Sequence, residues 1–297
     1  MTVASTVLES AYAECRSITR REAKNFYYAF LTLPPARRRA ISVIYAFCRH
    51  CDDSVDVEGM TEDKLTTLAQ IRDDLAKSYR HSATAPIFLA LDDVAQRYEI
   101  PQPHFQDIVS GVEADLVKNR YNDFEELKRY CYQVASVVGL ICLQIFGYQD
   151  PEAREHAIDL GLAMQLTNIA RDVKEDLEMD RIYLPLDEMA RFGYSEQDLQ
   201  AGVLNQQFTD LMRFQAQRAQ GYFRGGFKLL PYLSRRSRAC PAVLGQLYRK
   251  ILERIEAADY DVLHQRISLS KGEKIRVLAQ TWITNSVPGL SRVPKRP

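Results

Sequence analysis

Two rows of oxygen-bearing side chains hold most of the chemical potential of this chain. In Gln165-Leu-Thr-Asn168-Ile-Ala-Arg171-Asp172-Val-Lys-Glu-Asp176, helical winding places Gln165, Asn168, Asp172 and Asp176 at i, i+3, i+7 and i+11 on one face. The preceding Gly161-Leu-Ala-Met is apolar, so the row emerges from a segment that reads as buried. Desolvating an unpaired carboxylate costs several kcal/mol, and a buried line of carboxylates therefore needs cations. Hard divalent ions with oxygen ligands, their shells completed by substrate phosphates, supply that compensation.

A lone Asp-x-x-x-Asp pair reads more simply as the solvated end of a helix. A second row changes the balance. Tyr45, Arg49, Asp52 and Asp56 stand at i, i+4, i+7 and i+11 within Ile41-Ser-Val-Ile-Tyr-Ala-Phe-Cys-Arg-His-Cys-Asp-Asp-Ser-Val-Asp56, again where an apolar helix turns acidic. Facing one another across a helical bundle, two such rows make a polymetal diphosphate site. Arg49 supplies charge and Tyr45 orientation for a diphosphate, although alone they read as a snorkelling cation and a core ring.

The elements that must position these rows are helices throughout. An early segment over 17–31 carries the aromatic wall Phe26, Tyr27, Tyr28 and Phe30. Pro34-Pro35 ends it and starts the next helix. Thr61 is placed to cap a helix with apolar residues at helical spacing, and another helix runs from Pro86 to Tyr98. The segment from Phe105 to Leu116 includes Asp107, Gly111 and Asp115. Asp123-Phe-Glu-Glu126 has capping-box spacing, and Pro151 opens the helix bearing the central row. Further helices are expected at about 206–230, 241–258 and 271–284, with a fraying tail after about 287. No linker, repeat or composition shift divides residues 1–297, which read as one all-α domain.

Composition narrows the function. Hydrophobic residues make up 46% of the 297, and Lys+Arg and Asp+Glu balance at 39 each, so no global field argues for nucleic acid. The N-terminus has no secretory pattern, and the nearly uncharged stretch from Val134 to Tyr148 is too short to span a bilayer. The expected location is the cytoplasm. The six cysteines, including Cys48-x-x-Cys51 in a helical pattern, read as buried free thiols. Gly-rich phosphate loops, nucleotide-binding fingerprints, Gly-x-Ser-x-Gly and His-Glu-x-x-His are absent. Among enzymes this leaves metal-assisted ionisation of a diphosphate. Tyr130, Tyr132, Tyr183 and Tyr248 are, taken singly, four ordinary members of a set of 16 tyrosines.

Taken together, these segments resemble the squalene/phytoene synthase family of head-to-head isoprenoid synthases over nearly the whole chain. The two acidic rows, Tyr130-Cys-Tyr-Gln-Val-Ala-Ser-Val-Val-Gly139, Arg181-Ile-Tyr183-Leu-Pro185 and Tyr248-Arg-Lys-Ile-Leu carry the resemblance in family order. It implies an isoprenoid-synthase-type helical bundle with a central cavity. It also implies Mg²⁺ (Mn²⁺ as an alternative) on Asp52, Asp56, Asn168, Asp172 and Asp176. Diphosphate would meet Tyr45, Arg49, Gln165, Asn168, Arg171, Arg181, Tyr248 and Arg266. Tyr130, Arg171 and Tyr248 are the implied catalytic residues. Phe26 and Phe30 would set chain length, the bulk of Phe30 favouring a C15 chain. One departure stands out: many relatives have serines where this chain has Ala23-Lys-Asn25.

The activity implied is condensation of two farnesyl diphosphates to presqualene diphosphate on the hopanoid route, without NADPH. Alternatives are 15-cis-phytoene or dehydrosqualene synthesis, full squalene synthesis with NADPH, and a non-enzymatic scaffold on the same fold. The segments from Tyr130 and Arg181 argue against a head-to-tail prenyltransferase or terpene cyclase. Transient contact with a membrane surface is expected for release of an apolar product.

Overall fold

Proline and glycine punctuate the helical pattern where the chain must turn. The computed structural model describes residues 3–56 and 59–286, apart from the side chains of residues 3–5, 24–25, 56 and 286. Among the described residues no strand forms beyond two isolated bridges, Arg120–Ile182 and Tyr148–Leu233. The first elements are α1 (Val3–Glu22), α2 (Lys24–Phe30), α3 (Pro35–Asp56), α4 (Thr61–Tyr79), α5 (Pro86–Arg97) and α6 (Gln102–Val117). Then come α7 (Phe124–Cys131), a π-helical turn (Tyr132–Ser136), α8 (Val137–Phe146), α9 (Ala153–Arg171) and α10 (Val173–Glu178). Two short helices follow, α11 (Leu186–Arg191) and α12 (Glu196–Gln200). The chain then forms α13 (Gln206–Gly226), a 3-10 turn (Phe227–Tyr232), α14 (Arg235–Ala257) and α15 (Lys271–Ser286).

Local chemistry explains the boundaries. Pro35 opens α3, Pro86 sits in the first turn of α5, and Pro101 caps α6, positions where a missing N–H costs nothing. Gly147 closes α8 at φ 71°, in the left-handed region. Some expected signals work differently. The segment expected over 17–31 is interrupted at Ala23, which separates α1 from α2. Met60, with extended backbone, occupies the cap position of α4, so Thr61 is already the first helical residue and caps nothing. Asp123 does cap α7, accepting the Glu126 N–H at 2.8 Å. The Glu126 carboxylate takes the N–H of Asn122 instead, so only half the box forms. The central helix begins at Ala153, two residues after Pro151.

The two rows lie on α3 and α9, and the surrounding helices hold these two in place. α9 is the hub: α8, the π-turn, α13 and α14 all pack on it, while α8 also touches α3. Buried apolar side chains from α1 through the loop beyond α14 form one contiguous cluster. The long apolar element is longer than expected. Phe124–Phe146 is one helical run of 23 residues, long and apolar enough by composition to cross a membrane. It is a core element here, because Ser136 donates to the Ile158 carbonyl of α9 at 2.9 Å and its apolar residues join the common cluster.

Backbone proximity makes glycine obligatory at the hub. A Cβ at Gly161 of α9 would lie 2.6 Å from the Ser136 Cα in the π-turn. At the end of α13, a Cβ at Gly226 would lie 2.7 Å from the Leu160 Cα of α9. We predict that Gly161→Val destabilises the fold by about 1–3 kcal/mol or more, because backbone cannot yield as a side chain does. Gly272→Ala, where nothing lies within 4 Å, should instead stabilise by about 0.4–1 kcal/mol. Urea unfolding of both variants checks the contrast; equal effects would show that the close approach does not limit packing.

Candidate active site

The rows on α3 and α9 meet at the join between two cavities of opposite character. The first is polar, 280 Å³, and lined by Arg49, Asp52, Asp115, Tyr130, Gln165, Asn168, Arg171, Asp172, Asp176, Arg181 and Tyr183 with three aliphatic residues. The second is apolar, 320 Å³, running between α2, α3, the π-turn, α8, α9 and α14. Arg49, Asp52, Gln165 and Asn168 line both. A ligand with a charged head and a hydrocarbon tail fits this pairing, head in one chamber and tail in the other.

The α9 row is not one uninterrupted helix. α9 ends at Arg171, Asp172 takes φ −100° and ψ 18°, and α10 resumes at Val173. Backbone bonds to the carbonyls of Asn168 and Asp172 continue across the break, so Asp172 and Asp176 keep to the same side. Arg171 donates through Nε to Asp172 at 2.7 Å, a neighbour-to-neighbour fork. Arg49 pairs with Asp53 one turn along α3, and Arg181 donates to the Asp115 carbonyl at 3.3 Å. Three guanidiniums thus line the polar pocket, as an anionic ligand requires.

A phenol cluster forms the opposite wall. Tyr130 and Tyr183 both donate to the Asp115 carboxylate, at 3.0 and 2.8 Å. Their rings stack 5.2 Å apart, and Tyr121 stacks on Tyr183 at 5.7 Å. Burial first, then the Asp115 charge, push both phenols above their usual range, so they remain protonated donors. Asp115 was not singled out from the sequence. Its signal in the sequence is a carboxylate at helical spacing from the apolar Ile108 and Val112 of α6.

The oxygen donors suit a hard cation. The Asn168 Oδ1 is buried with no hydrogen-bond partner among the described residues. Burial, and after it the charge of Asp172, push the Asp176 carboxyl up to about 7 against the opposing pull of Arg181. A cation would relieve both. Among the described residues no three His, Cys, Asp or Glu converge into a ready-made cage. Asp52, Asn168, Asp172 and Asp176 therefore fit Mg²⁺, which takes one or two carboxylates and completes its shell with water and phosphate, better than a closed structural metal.

In the apolar chamber, Phe26 is ringed by Phe30 at 6.3 Å, Tyr45 at 6.2 Å and Tyr248 at 6.0 Å. Phe30 also lines a second, larger cleft between α1, α3 and α5, and is the residue common to the two linings. Tyr45 lines the apolar chamber together with Arg49 and Asp52 and does not line the polar pocket. Tyr248 is buried beside Asn168 and lines the apolar chamber, not the polar pocket. Arg266 stands apart from the other candidates: its side chain is 78% exposed, 3.5 Å from Glu175, and lines neither chamber. The loop after α14 carries it outward, a path that spacing could not reveal. The side chains of Asp56 and Asn25 lie outside the described residues. Cys48 and Cys51 are free, and burial first, then acidic or thiol neighbours, push both thiols up, as inert cysteines require.

Residues 19–273 match the squalene/phytoene synthase family. A 15-cis-phytoene synthase of Synechococcus elongatus is 38% identical over 280 residues, 90% of this chain and 91% of the relative. A dehydrosqualene synthase crystal structure superposes with TM-score 0.85 at 29% identity, covering 92% of this chain and 96% of the other. A squalene synthase structure from Alicyclobacillus acidocaldarius gives 0.81 at 27% identity, covering 86% and 96%.

The phenol cluster generates a stability test. Asp115→Ala leaves the Tyr183 hydroxyl buried without its acceptor, at a cost of about 1–3 kcal/mol. Asp115→Asn keeps one acceptor oxygen and should lose less. Unfolding free energies in urea measure both; an alanine variant as stable as the parent would show that the phenols do not depend on Asp115.

Proposed function

We infer a reaction from one fact: the chain belongs to the squalene/phytoene synthase family. The family consists of prenyltransferases that join isoprenoid units head to head. The substrates are two allylic prenyl diphosphates, and the observation that carries this reading is the seam shared by a cationic pocket and an apolar chamber. The C20 chain and the product phytoene are favoured by the 38% identical relative, which carries the name 15-cis-phytoene synthase. This replaces the C15 chain as first reading. The C15 alternative, giving presqualene diphosphate or dehydrosqualene, keeps a structural support: the Phe30 ring lies between the apolar chamber and the larger cleft. The name of the superposed dehydrosqualene synthase agrees with that alternative.

The mechanism follows from the placement of groups. A prenyl tail in the apolar chamber sets its diphosphate at Arg49, Asp52, Gln165 and Asn168. The C1–O bond breaks, and its electron pair leaves with diphosphate toward Arg49, Arg171 and Arg181, which take up the added negative charge. Asp52, Asn168, Asp172 and Asp176 would hold Mg²⁺, which would supply further neutralisation of the leaving group. The C2=C3 pair of the second substrate forms a bond to the C1 cation, and loss of a proton closes a cyclopropane that still carries the second diphosphate. For phytoene or dehydrosqualene that diphosphate then leaves with its C–O electron pair, the ring opens as the C1–C1′ bond forms, and loss of a second proton gives the central double bond. Phe26, Tyr45 and Tyr248 face this cation, stabilising it with their ring faces and excluding water. Tyr130, held as a phenol, serves as a hydrogen-bond donor. Neither reading consumes a reductant.

Purified chain incubated with Mg²⁺ and either C20 or C15 diphosphate, without reductant, tests the proposal by product mass spectrometry. Phytoene from the C20 substrate is expected. Presqualene diphosphate or dehydrosqualene from C15 alone would establish the second reading, and no product from either would overturn both. Asp52→Asn and Asp172→Asn should each lower kcat by about 10²-fold or more with helicity unchanged; undiminished turnover would remove the rows from the reaction. Phe30→Ala, by joining the chamber to the cleft behind it, should raise the C20-to-C15 preference. An unchanged ratio would place the chamber floor elsewhere.

A further inference from the structure

The helix α15 presents an apolar face outward. Its inner side packs on α14 and α2, with Val277 and Leu278 against the core. On its outer side Ile275 is 53% exposed, Trp282 47% and Ile283 44%, with Ala279 exposed between them. These stand at i, i+4, i+7 and i+8, one stripe along the helix. Lys271 and Arg276 are exposed on its flanks. Glu273, the acid of this helix, is turned to Ser270 and Arg254, pairing with the latter at 2.5 Å. Among the described residues of α15 itself, the outward face therefore holds three large apolar side chains and two cations and no carboxylate. Residues 287–297, which follow in sequence, add Arg292, Lys295 and Arg296 and again no acid.

We propose that this face docks the protein on an anionic bilayer surface. The Ile275–Trp282–Ile283 stripe enters the boundary between headgroups and acyl chains, and Lys271 and Arg276 meet the lipid phosphates. The chemistry selects this occupant over a second copy of the chain. Two such faces laid together would oppose cations with no acid to pair them. A membrane supplies the missing negative charge and a flat apolar layer for a convex stripe. Indole at that depth is the ring favoured at membrane interfaces. The position is also apt, because α15 packs on α2, which carries Phe26 and Phe30 of the apolar chamber wall.

Trp282 is the chain's only tryptophan among 16 tyrosines, so emission excited selectively at tryptophan reports this face alone. The full chain is titrated with vesicles of phosphatidylcholine containing phosphatidylglycerol, and with phosphatidylcholine alone. Anionic vesicles should shift Trp282 emission to the blue, brominated lipid should quench it, and raised salt should weaken both effects. Ile275→Ser with Ile283→Ser should lower partitioning at least about tenfold with unchanged helicity. Lys271→Glu with Arg276→Glu should abolish the preference for anionic lipid. Emission indifferent to vesicles would overturn the proposal, as would serine variants that bind like the parent. A blue shift that grows with protein concentration in the absence of lipid would assign the face to a second copy instead. The readout is binding, so it stands apart from the reaction proposed above.

Discussion

Charge and hydrocarbon have to be kept in adjoining chambers, and the seam between them governs the rest of the structure. Arg49 and Asp52 on α3, with Gln165 and Asn168 on α9, belong to both linings. Apolar wall on one side lowers the local dielectric and strengthens every electrostatic interaction on the other. Burial raises the cost of leaving any carboxylate uncompensated, and with the neighbouring Asp172 charge it pushes the Asp176 carboxyl in the polar pocket up to about 7. Rigid packing at this place is therefore a functional demand. Gly161 and Gly226 meet it by allowing α9 to approach the π-turn and the end of α13 at backbone distance.

Charge compensation within the chain is partial, which is what a binding site requires. Arg171 is forked to Asp172 and Arg49 is paired with Asp53, so cations and anions are interleaved even without a ligand. Asp115 is engaged by two phenols, and its carbonyl by Arg181. The Asn168 oxygen, by contrast, is buried without a partner among the described residues. A site fully satisfied by its own side chains would gain little from a substrate and its cations. This one leaves oxygen donors and guanidiniums facing the same small space.

Much of this was legible in the sequence because helices convert spacing into direction. Periodicity placed Asp52 on one helix face and Gln165, Asn168 and Asp172 on another, and the structure joins those faces. What periodicity could not show was departure from ideal winding or the course of a loop. The break at Asp172 and the π-turn at 132–136 leave no mark in an apolar pattern. Arg266 was assigned to the diphosphate by family resemblance, yet its loop points it to solvent. Tyr45 has the right spacing from Asp52, but the rings of Phe26 and Phe30 claim it. Asp115 escaped notice because its partners, Tyr130 and Tyr183, come from two distant segments.

The most direct test of the seam asks how cation and diphosphate depend on one another. Because no three carboxylates form a ready cage among the described residues, neither ligand alone should be held tightly. Thermal unfolding is followed with Mg²⁺ alone, with pyrophosphate alone and with both. A ligand that binds the folded state raises Tm in proportion to the logarithm of its saturation. Small shifts for each alone, and a joint shift well beyond their sum that Asp172→Asn removes, are the predicted result. A full shift from Mg²⁺ alone, or none from the pair, would contradict a site completed by its substrate.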